Sequence, residues 1–147
     1  MKQHFVTMFV CLALFGGGVV FGQAVQAPYT EGSVWDVQFV RTKAGFSDDY
    51  LKSLGSTWKK VVDEEKKQGL VLSYRVLKAQ PNGKDDWDVM LMIEYKNHAA
   101  FDGMDAKFRA VAAKAIGNDD AQRTLSTKRL EIRELLGGKI AQEVILK

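Results

Sequence analysis

The segment WDVMLMIEY, residues 87–95, carries the clearest structural signal in the chain. Its side chains alternate between a strongly apolar set and a mixed set, with the period of two that defines a β-strand. The apolar set is Trp87, Val89, Leu91, Ile93 and Tyr95. Residues 70–79 alternate in the same way, and Pro81-Asn82-Gly83 between the two segments is a turn signal. The two segments are therefore predicted to form a β-hairpin.

Further elements are predicted on both sides of this hairpin. Apolar residues at spacings of three and four indicate helices, and alternation indicates strands. The expected elements are a strand at 33–41, a helix at 47–68, a helix at 97–117 and a strand at 128–135. Residues 118–127 have little periodicity, so they are either a loop, able to act as a lid, or a short irregular helix. Gly137-Gly138 is expected to end the fourth strand, and residues 140–147 favour a strand or arm.

The order β-α-β-β-α-β predicts an α+β, ferredoxin-like fold with a four-stranded antiparallel sheet and two helices on one face. The helix-facing side is expected to carry Trp35, Val37, Phe39, Leu72, Tyr74, Val89, Leu91 and Ile93. The other side is expected to carry Asp36, Gln38, Ser73, Arg75, Asp88, Met90, Met92, Glu94, Glu131 and Arg133. A single sheet with two helices leaves that second side uncovered, which predicts a homodimer.

The first 24 residues read as a secretory signal peptide. Lys2 precedes an apolar run, and small residues follow at Gly22-Gln23-Ala24. The run is short for a membrane-spanning helix of about 20 residues, so a retained anchor is the lesser alternative. The prediction is a secreted or periplasmic protein with no membrane association after cleavage. Residues 25–32 form a polar lead-in, 33–136 the folded domain and 137–147 a C-terminal arm or strand.

The composition of the chain after residue 24 excludes several function classes. The only cysteine precedes that point, so no disulfide or thiol chemistry is expected. One histidine, His98, is left, which is too few for a histidine-rich metal site within one chain. Removal of Lys2 with the predicted signal peptide lowers the formal charge from +3 to +2. A charge this small does not indicate the basic surface of a nucleic-acid-binding protein. No metal, cofactor or nucleic-acid partner is therefore predicted.

Residues 94–101, EYKNHAAF, resemble the dimeric α/β-barrel superfamily, whose members commonly end the third strand in an aromatic residue followed by a polar cap and an Ala-aromatic pair. The resemblance covers residues 33–136. Within the superfamily, the chain resembles antibiotic-biosynthesis-monooxygenase-like proteins and uncharacterised exported members. The resemblance implies a homodimer whose sheets pack face to face around cavities. Residues 104–106 lack the iron-ligating histidine of the heme-degrading relatives, and Gln38 and Tyr95 replace their Asn and Trp. The resemblance therefore does not imply heme.

Within such a cavity, the sequence predicts a small, partly apolar ligand. The candidate catalytic residues are Asp36 and His98, which would move a proton. The candidate ligand-binding residues are Gln38, Arg75, Asp88, Met90, Met92 and Tyr95. Gln38 and Arg75 would hold an oxyanion, and the methionines would supply an adaptable apolar lining.

The sequence alone leaves several alternatives open. Asp36, Arg75 and Asp88 would equally serve as buried ion pairs, and His98 as a surface residue. As an enzyme, the protein would be a cofactor-independent oxygenase or isomerase. As a non-catalytic binding or assembly module, it would use the polar sheet face only as its dimer interface.

Overall fold

The computed structural model of the protein describes residues 26–147, so the predicted signal peptide at 1–24 lies outside the described residues. Four strands and four α-helices follow one another in this part of the chain. In chain order they are β1 (Tyr29–Thr42), α1 (Ser47–Ser53), α2 (Lys59–Lys67), β2 (Ser73–Lys78), β3 (Val89–Tyr95), α3 (Met104–Ile116), α4 (Asp119–Ile132) and β4 (Arg133–Leu146). A π-helical turn, Leu54–Trp58, joins α1 to α2, and a 3-10 turn, His98–Phe101, precedes α3.

The four strands form one sheet in the order β2-β3-β1-β4, and every neighbouring pair is antiparallel. The predicted hairpin is confirmed as β2 and β3. With α1–α2 after β1 and α3 after β3, this is the ferredoxin-like arrangement, to which the chain adds α4 before the last strand. The predicted α+β fold class is confirmed.

The helices cover one face of the sheet and form two adjoining cores on it. One core joins Val34 and Tyr95 of the sheet to Val62 and Met104 of the helices. The other joins Val40 and Val89 to Tyr50 and its neighbours in the first helical segment. The half-buried Trp58 packs against both, so the π-helical turn lies at the junction of the two cores.

The face assignment predicted for β1 is wrong. Residues paired across antiparallel strands share a face, and Val34, Asp36, Gln38 and Val40 pair with Tyr95, Ile93, Leu91 and Val89. These β1 residues therefore lie on the helix-facing side, and Trp35, Val37 and Phe39 lie on the open side. Both faces of the strand carry apolar residues, and alternation favoured Trp35, Val37 and Phe39 because Asp36 and Gln38 interrupt the other set. Val34 and Val40, both fully buried, are the residues that the helices cover.

The prediction for the open face holds on β2 and β3. Ser73, Arg75, Met90, Met92 and Glu94 occupy it, opposite Tyr74, Val89, Leu91 and Ile93. Leu72, predicted to be covered by helices, is 46% exposed and precedes β2.

The segment after α3 also differs from the prediction. Residues 119–132 form the helix α4, which agrees with the helical alternative for 118–127 and not with the loop, and Glu131 is not in a strand. The Asn118 side chain accepts a hydrogen bond from the Ala121 amide at 3.0 Å and caps this helix. The alternation of Leu130 and Ile132 with charged residues was misleading, because the same residues fit a short amphipathic helix.

The fourth strand is longer than predicted and is not broken at Gly137-Gly138. A bulge in its pairing with β1 at this point absorbs the irregularity. A Cβ on Gly138 would lie 2.9 Å from the Val37 carbonyl oxygen, so glycine permits the close approach of the two strands. β4 pairs with β1 as far as Tyr29 and Leu146, so the sheet extends beyond the predicted domain of 33–136 at both ends.

Candidate functional site

A group of acidic side chains lies on the helix-facing side of the sheet. Asp36 and Gln38 occupy successive helix-facing positions of β1, at the centre of the strand. Burial raises the pKa of the Asp36 carboxyl above its ordinary value, and the neighbouring Gln38 amide acts in the opposite direction. A carboxylate that is only partly solvated and lies next to an amide is a suitable proton acceptor.

Tyr95 and Glu65 complete this acidic group. Tyr95 is 4% exposed and packs against the rings of Phe101 and Phe108. Burial raises the pKa of its phenol, and the negative charges of Glu65 and Asp36 add to the shift. Glu65 of α2 is 5% exposed, and burial raises its pKa to about 7. Within residues 26–147, no ion pair joins Glu65 or Asp36 to a cation.

An open cleft of about 310 Å³ adjoins Asp36 and Gln38. Leu135, Gly137 and Gly138 of β4 form its other wall, and the glycines leave the strand backbone accessible to a ligand. Ile140, which pairs with Asp36 across the two strands, is 52% exposed and adds apolar surface at the rim. The cleft therefore combines a carboxylate, an amide and apolar walls, the composition typical of a small-molecule site.

The other face of the sheet holds a different set of candidates. Arg75, Met90 and Met92 share this open face with Trp35. The Arg75 guanidinium lies over the Trp35 ring, with Cζ 5.2 Å from the ring centroid. Because Asp36 and Gln38 point to the opposite face, the predicted convergence of Asp36, Gln38 and Arg75 on one pocket does not occur within one chain.

Asp88 and His98 lie apart from both groups. Asp88 accepts hydrogen bonds from the Thr42 amide, at 2.9 Å, and from the Thr42 hydroxyl. Asp88 therefore links the end of β1 to the start of β3. It does not form the ion pair with Arg75 that was considered as an alternative from the sequence. His98 is exposed at the start of the 3-10 turn.

Sequence reasoning missed Glu65 and a pair of arginines at the end of α4. Glu65 follows Trp58 by seven residues and Val61 by four, so extending the apolar stripe of the helix by one turn could have indicated its burial. Arg133 donates to the Tyr50 hydroxyl at 2.7 Å, and Arg129 donates to Thr57 Oγ1 at 3.3 Å. Arg133 was predicted on the open face, which is wrong, because it pairs with Thr42 and lies on the helix-facing side beside Tyr50. No pattern in the sequence indicated Arg129, because its segment was read as a strand.

Two absences apply to residues 26–147. This part of the chain holds no group of three or more His, Cys, Asp or Glu side chains placed to bind a metal ion. None of its helices has both the length and the apolar character needed to cross a membrane.

The chain was compared with known proteins at three levels. No protein-family model matches it. No curated protein matches it significantly. Solved structures with a similar fold were found, all of low sequence identity.

The first is HapK from Hahella chejuensis, at 13% identity and a TM-score of 0.49 over 75% of this chain and 91% of that one. The second is a dimeric ferredoxin-like protein from an uncultured marine organism, at 14% identity and a TM-score of 0.51 over 80% of this chain and 90% of that one. The third is a dimeric ferredoxin-like protein of unknown function from Bacteroides fragilis, at 15% identity and a TM-score of 0.43 over 78% of this chain and 98% of that one. The marine protein supports the ferredoxin-like fold of this chain.

Proposed function

We propose that this protein is an exported homodimer that binds a small, partly apolar molecule in the cleft beside Asp36 and Gln38. The single observation that carries the proposal is the position of Asp36 at the wall of that cleft, as a half-buried carboxylate with no ion-pair partner among residues 26–147. The proposed site lies on the helix-facing side of the sheet, whereas the sequence alone suggested the open side.

Dimerisation is supported by the composition of the open sheet face. Trp35 and Phe39 of β1 lie beside Met90 and Met92 of β3 on this face, around the buried Val37, and the helices of residues 26–147 build their cores on the other face. A contiguous apolar patch of this kind usually marks an interface. Tryptophan, methionine and arginine are the residues enriched in such interfaces, and Arg75 supplies the last of these. The ferredoxin-like marine protein of similar fold is described as dimeric.

The chemistry supported by the cleft is proton transfer without a cofactor. The Asp36 carboxylate would take a proton from a carbon next to a carbonyl group, and the electron pair would move onto the carbonyl oxygen. The Gln38 amide would donate a hydrogen bond to the resulting oxyanion. In a β,γ-unsaturated carbonyl compound, return of the proton to the γ-carbon shifts the double bond and completes an isomerisation. Addition of the carbanion to dioxygen, with uptake of one proton, would instead form a C–O bond and give a hydroperoxide.

A second candidate function is a non-catalytic binding or assembly module. It is favoured by the separation of Arg75, Met90 and Met92 from Asp36 and Gln38 on opposite faces of the sheet. Under this hypothesis the open face is a dimer interface only, and the acidic group is a consequence of packing.

Native mass spectrometry of the exported protein tests both the assembly and the ligand. We expect a mass of two chains, each beginning after residue 24, with a small molecule retained. A ligand-free dimer that binds no member of a library of small carbonyl compounds would favour the second function. A monomer would overturn the dimer.

Nuclear magnetic resonance locates the site. Binding should shift the backbone amides of Gly137 and Gly138, and Asp36→Asn should weaken it. Asp85→Asn, which removes an exposed carboxylate in the β2–β3 turn, is the matched control.

A further inference from the structure

A second cavity, of about 190 Å³, lies among the helices and away from Asp36 and Gln38. Its walls come from three helical segments: the π-helical turn with α2, the C-terminal half of α3, and α4. Trp58, Val61, Ala112 and Leu125 supply apolar surface, and Thr57 and Arg129 supply polar groups. The apolar walls with few polar groups are typical of a ligand pocket.

The π-helical turn shapes one wall of this cavity. Leu54–Trp58 inserts into an otherwise α-helical rod, and its last two residues, Thr57 and Trp58, line the cavity. Such turns are rare and occur frequently at functional sites. The Thr57 hydroxyl is held by a hydrogen bond to the Ser53 carbonyl oxygen at 2.7 Å, so it can accept but not donate a bond within the cavity.

Arg129 is the charged group of the cavity. Its Nη1 donates to Thr57 Oγ1, and its Nε is buried and has no hydrogen-bond partner. No carboxylate lies within 4.0 Å of Arg129 or Arg133 in the part of the chain that the structure describes. Burial and the neighbouring Arg133 lower the pKa of the Arg129 guanidinium. A partly buried cation without a nearby anion is unfavourable, and an anionic ligand would offset that cost.

We propose that this cavity binds a small monocarboxylate with a ring-sized apolar body, with its carboxylate on Arg129 and its body against Trp58 and Val61. The size is consistent with this class, because an engineered apolar cavity of about 150 Å³ accepts benzene. The charge of the ligand distinguishes this site from the cleft of the proposed function. A carboxylate would be attracted by Arg129 here and repelled by Asp36 at that cleft.

Benzoate is the probe for this proposal, and benzamide is its uncharged analogue of similar shape. We expect the purified protein to bind benzoate at least about tenfold more tightly than benzamide, because a charge-assisted bond to a guanidinium is strong. Amide resonances of Thr57, Ala112 and Leu125 should shift, and those of Gly137 and Gly138 should not. Failure to bind benzoate, or equal affinity for the two probes, would overturn the proposal.

Three substitutions assign the effect to Arg129. R129Q should weaken benzoate binding at least about tenfold. R123Q removes the same charge from an exposed position of the same helix and should leave binding unchanged. A112F keeps both arginines but fills the cavity, so it should abolish binding in a protein that circular dichroism shows to be folded. Equal losses in R123Q and R129Q, or full binding in A112F, would contradict a site in this cavity.

Discussion

The Arg75 guanidinium of β2 stacks on the Trp35 ring of β1 across the intervening strand β3, with 5.2 Å between Cζ and the ring centroid. The contact lies on the open face of the sheet, opposite the face on which the helices of residues 26–147 build the two cores. It holds a long cation over an aromatic ring, so that the face presents the apolar parts of both side chains. This face is the basis of the first prediction.

Met92→Lys should convert the proposed dimer into a monomer. Met92 pairs with Val37 on one side and Arg75 on the other, so a lysine there adds to the positive charge of the face in both subunits. Like charges brought together at an interface cost several kcal/mol, so the dissociation constant should rise at least about a hundredfold. Analytical ultracentrifugation measures it. Val76→Lys adds the same charge on the helix-facing side of β2 and should leave the dimer intact.

Asp88→Ala should destabilise the fold. Asp88 accepts two hydrogen bonds from Thr42, which is 7% exposed, and their loss leaves buried donors without a partner. The expected loss is about 1–3 kcal/mol in the free energy of unfolding, measured by urea denaturation. Asp85→Ala in the neighbouring turn changes the same charge at an exposed position. If the two variants lose the same stability, the hydrogen bonds to Thr42 are not the cause.

Glu65 should make stability fall as the pH rises from about 4.5 to about 7. The folded protein holds this carboxyl proton up to a pKa of about 7, whereas an exposed carboxyl in the unfolded chain releases it near the ordinary value of 4.5. The folded state therefore binds more protons in that window, and raising the pH favours unfolding. Glu65→Gln should flatten this part of the profile and raise the melting temperature at pH 8 by a few degrees.

The adjacent Glu64 provides the control for that measurement. Hydrogen bonds from Lys114 and Gln68 lower the pKa of Glu64, so its contribution has the opposite sign and is lost as the pH falls through the acidic range. Glu64→Gln should therefore leave the fall between pH 4.5 and 7 in place. A wild-type protein whose stability is constant across that window would disprove the role of Glu65.

Gln38→Leu should raise the pKa of Asp36 further. The Gln38 amide stabilises the charged carboxylate, and leucine both removes that dipole and increases the desolvation. The titration of the Asp36 carboxyl carbon, followed by nuclear magnetic resonance, measures the change. Gln142→Leu on the neighbouring strand loses its hydrogen bond to the Gly32 carbonyl but should leave the pKa of Asp36 unaltered. A lower pKa in Gln38→Leu would contradict the arrangement at the cleft.

The parts of the fold that the sequence predicted share strong periodicity and local turns. The hairpin of β2 and β3 and the helical rod of α1–α2 depend on contacts close in the sequence, so their patterns are unambiguous. Residues 119–132 carry a weak pattern, with Leu125 and Ile132 on a helix face and Leu130 and Ile132 in alternation. Packing of α4 against α1 and α3 selects the helix there, and no local rule contains that contact.

The candidate site was predicted only in part. Asp36, Gln38 and Tyr95 were identified and lie on one face, whereas Arg75, Met90 and Met92 lie on the other. The error came from β1, where Trp35, Val37 and Phe39 form the more apolar set, but the pairing with β3 places this set on the open face. Glu65 lies on α2 and Arg129 on α4, and the groups around each of them come from segments distant in the sequence. The sequence near each residue therefore does not indicate its role.

The sequence alone determines the periodicity and the turns, which set the order β-α-β-β-α-β. That order leaves one sheet face uncovered, which suggests a dimer. The side of β1 that the helices cover is set by its pairing with β3, through Val34 and Val40. The unpaired charges of Asp36, Glu65 and Arg129 are likewise products of packing. A charge lacks a partner only because of the groups that the fold brings around it, and distant segments supply those groups.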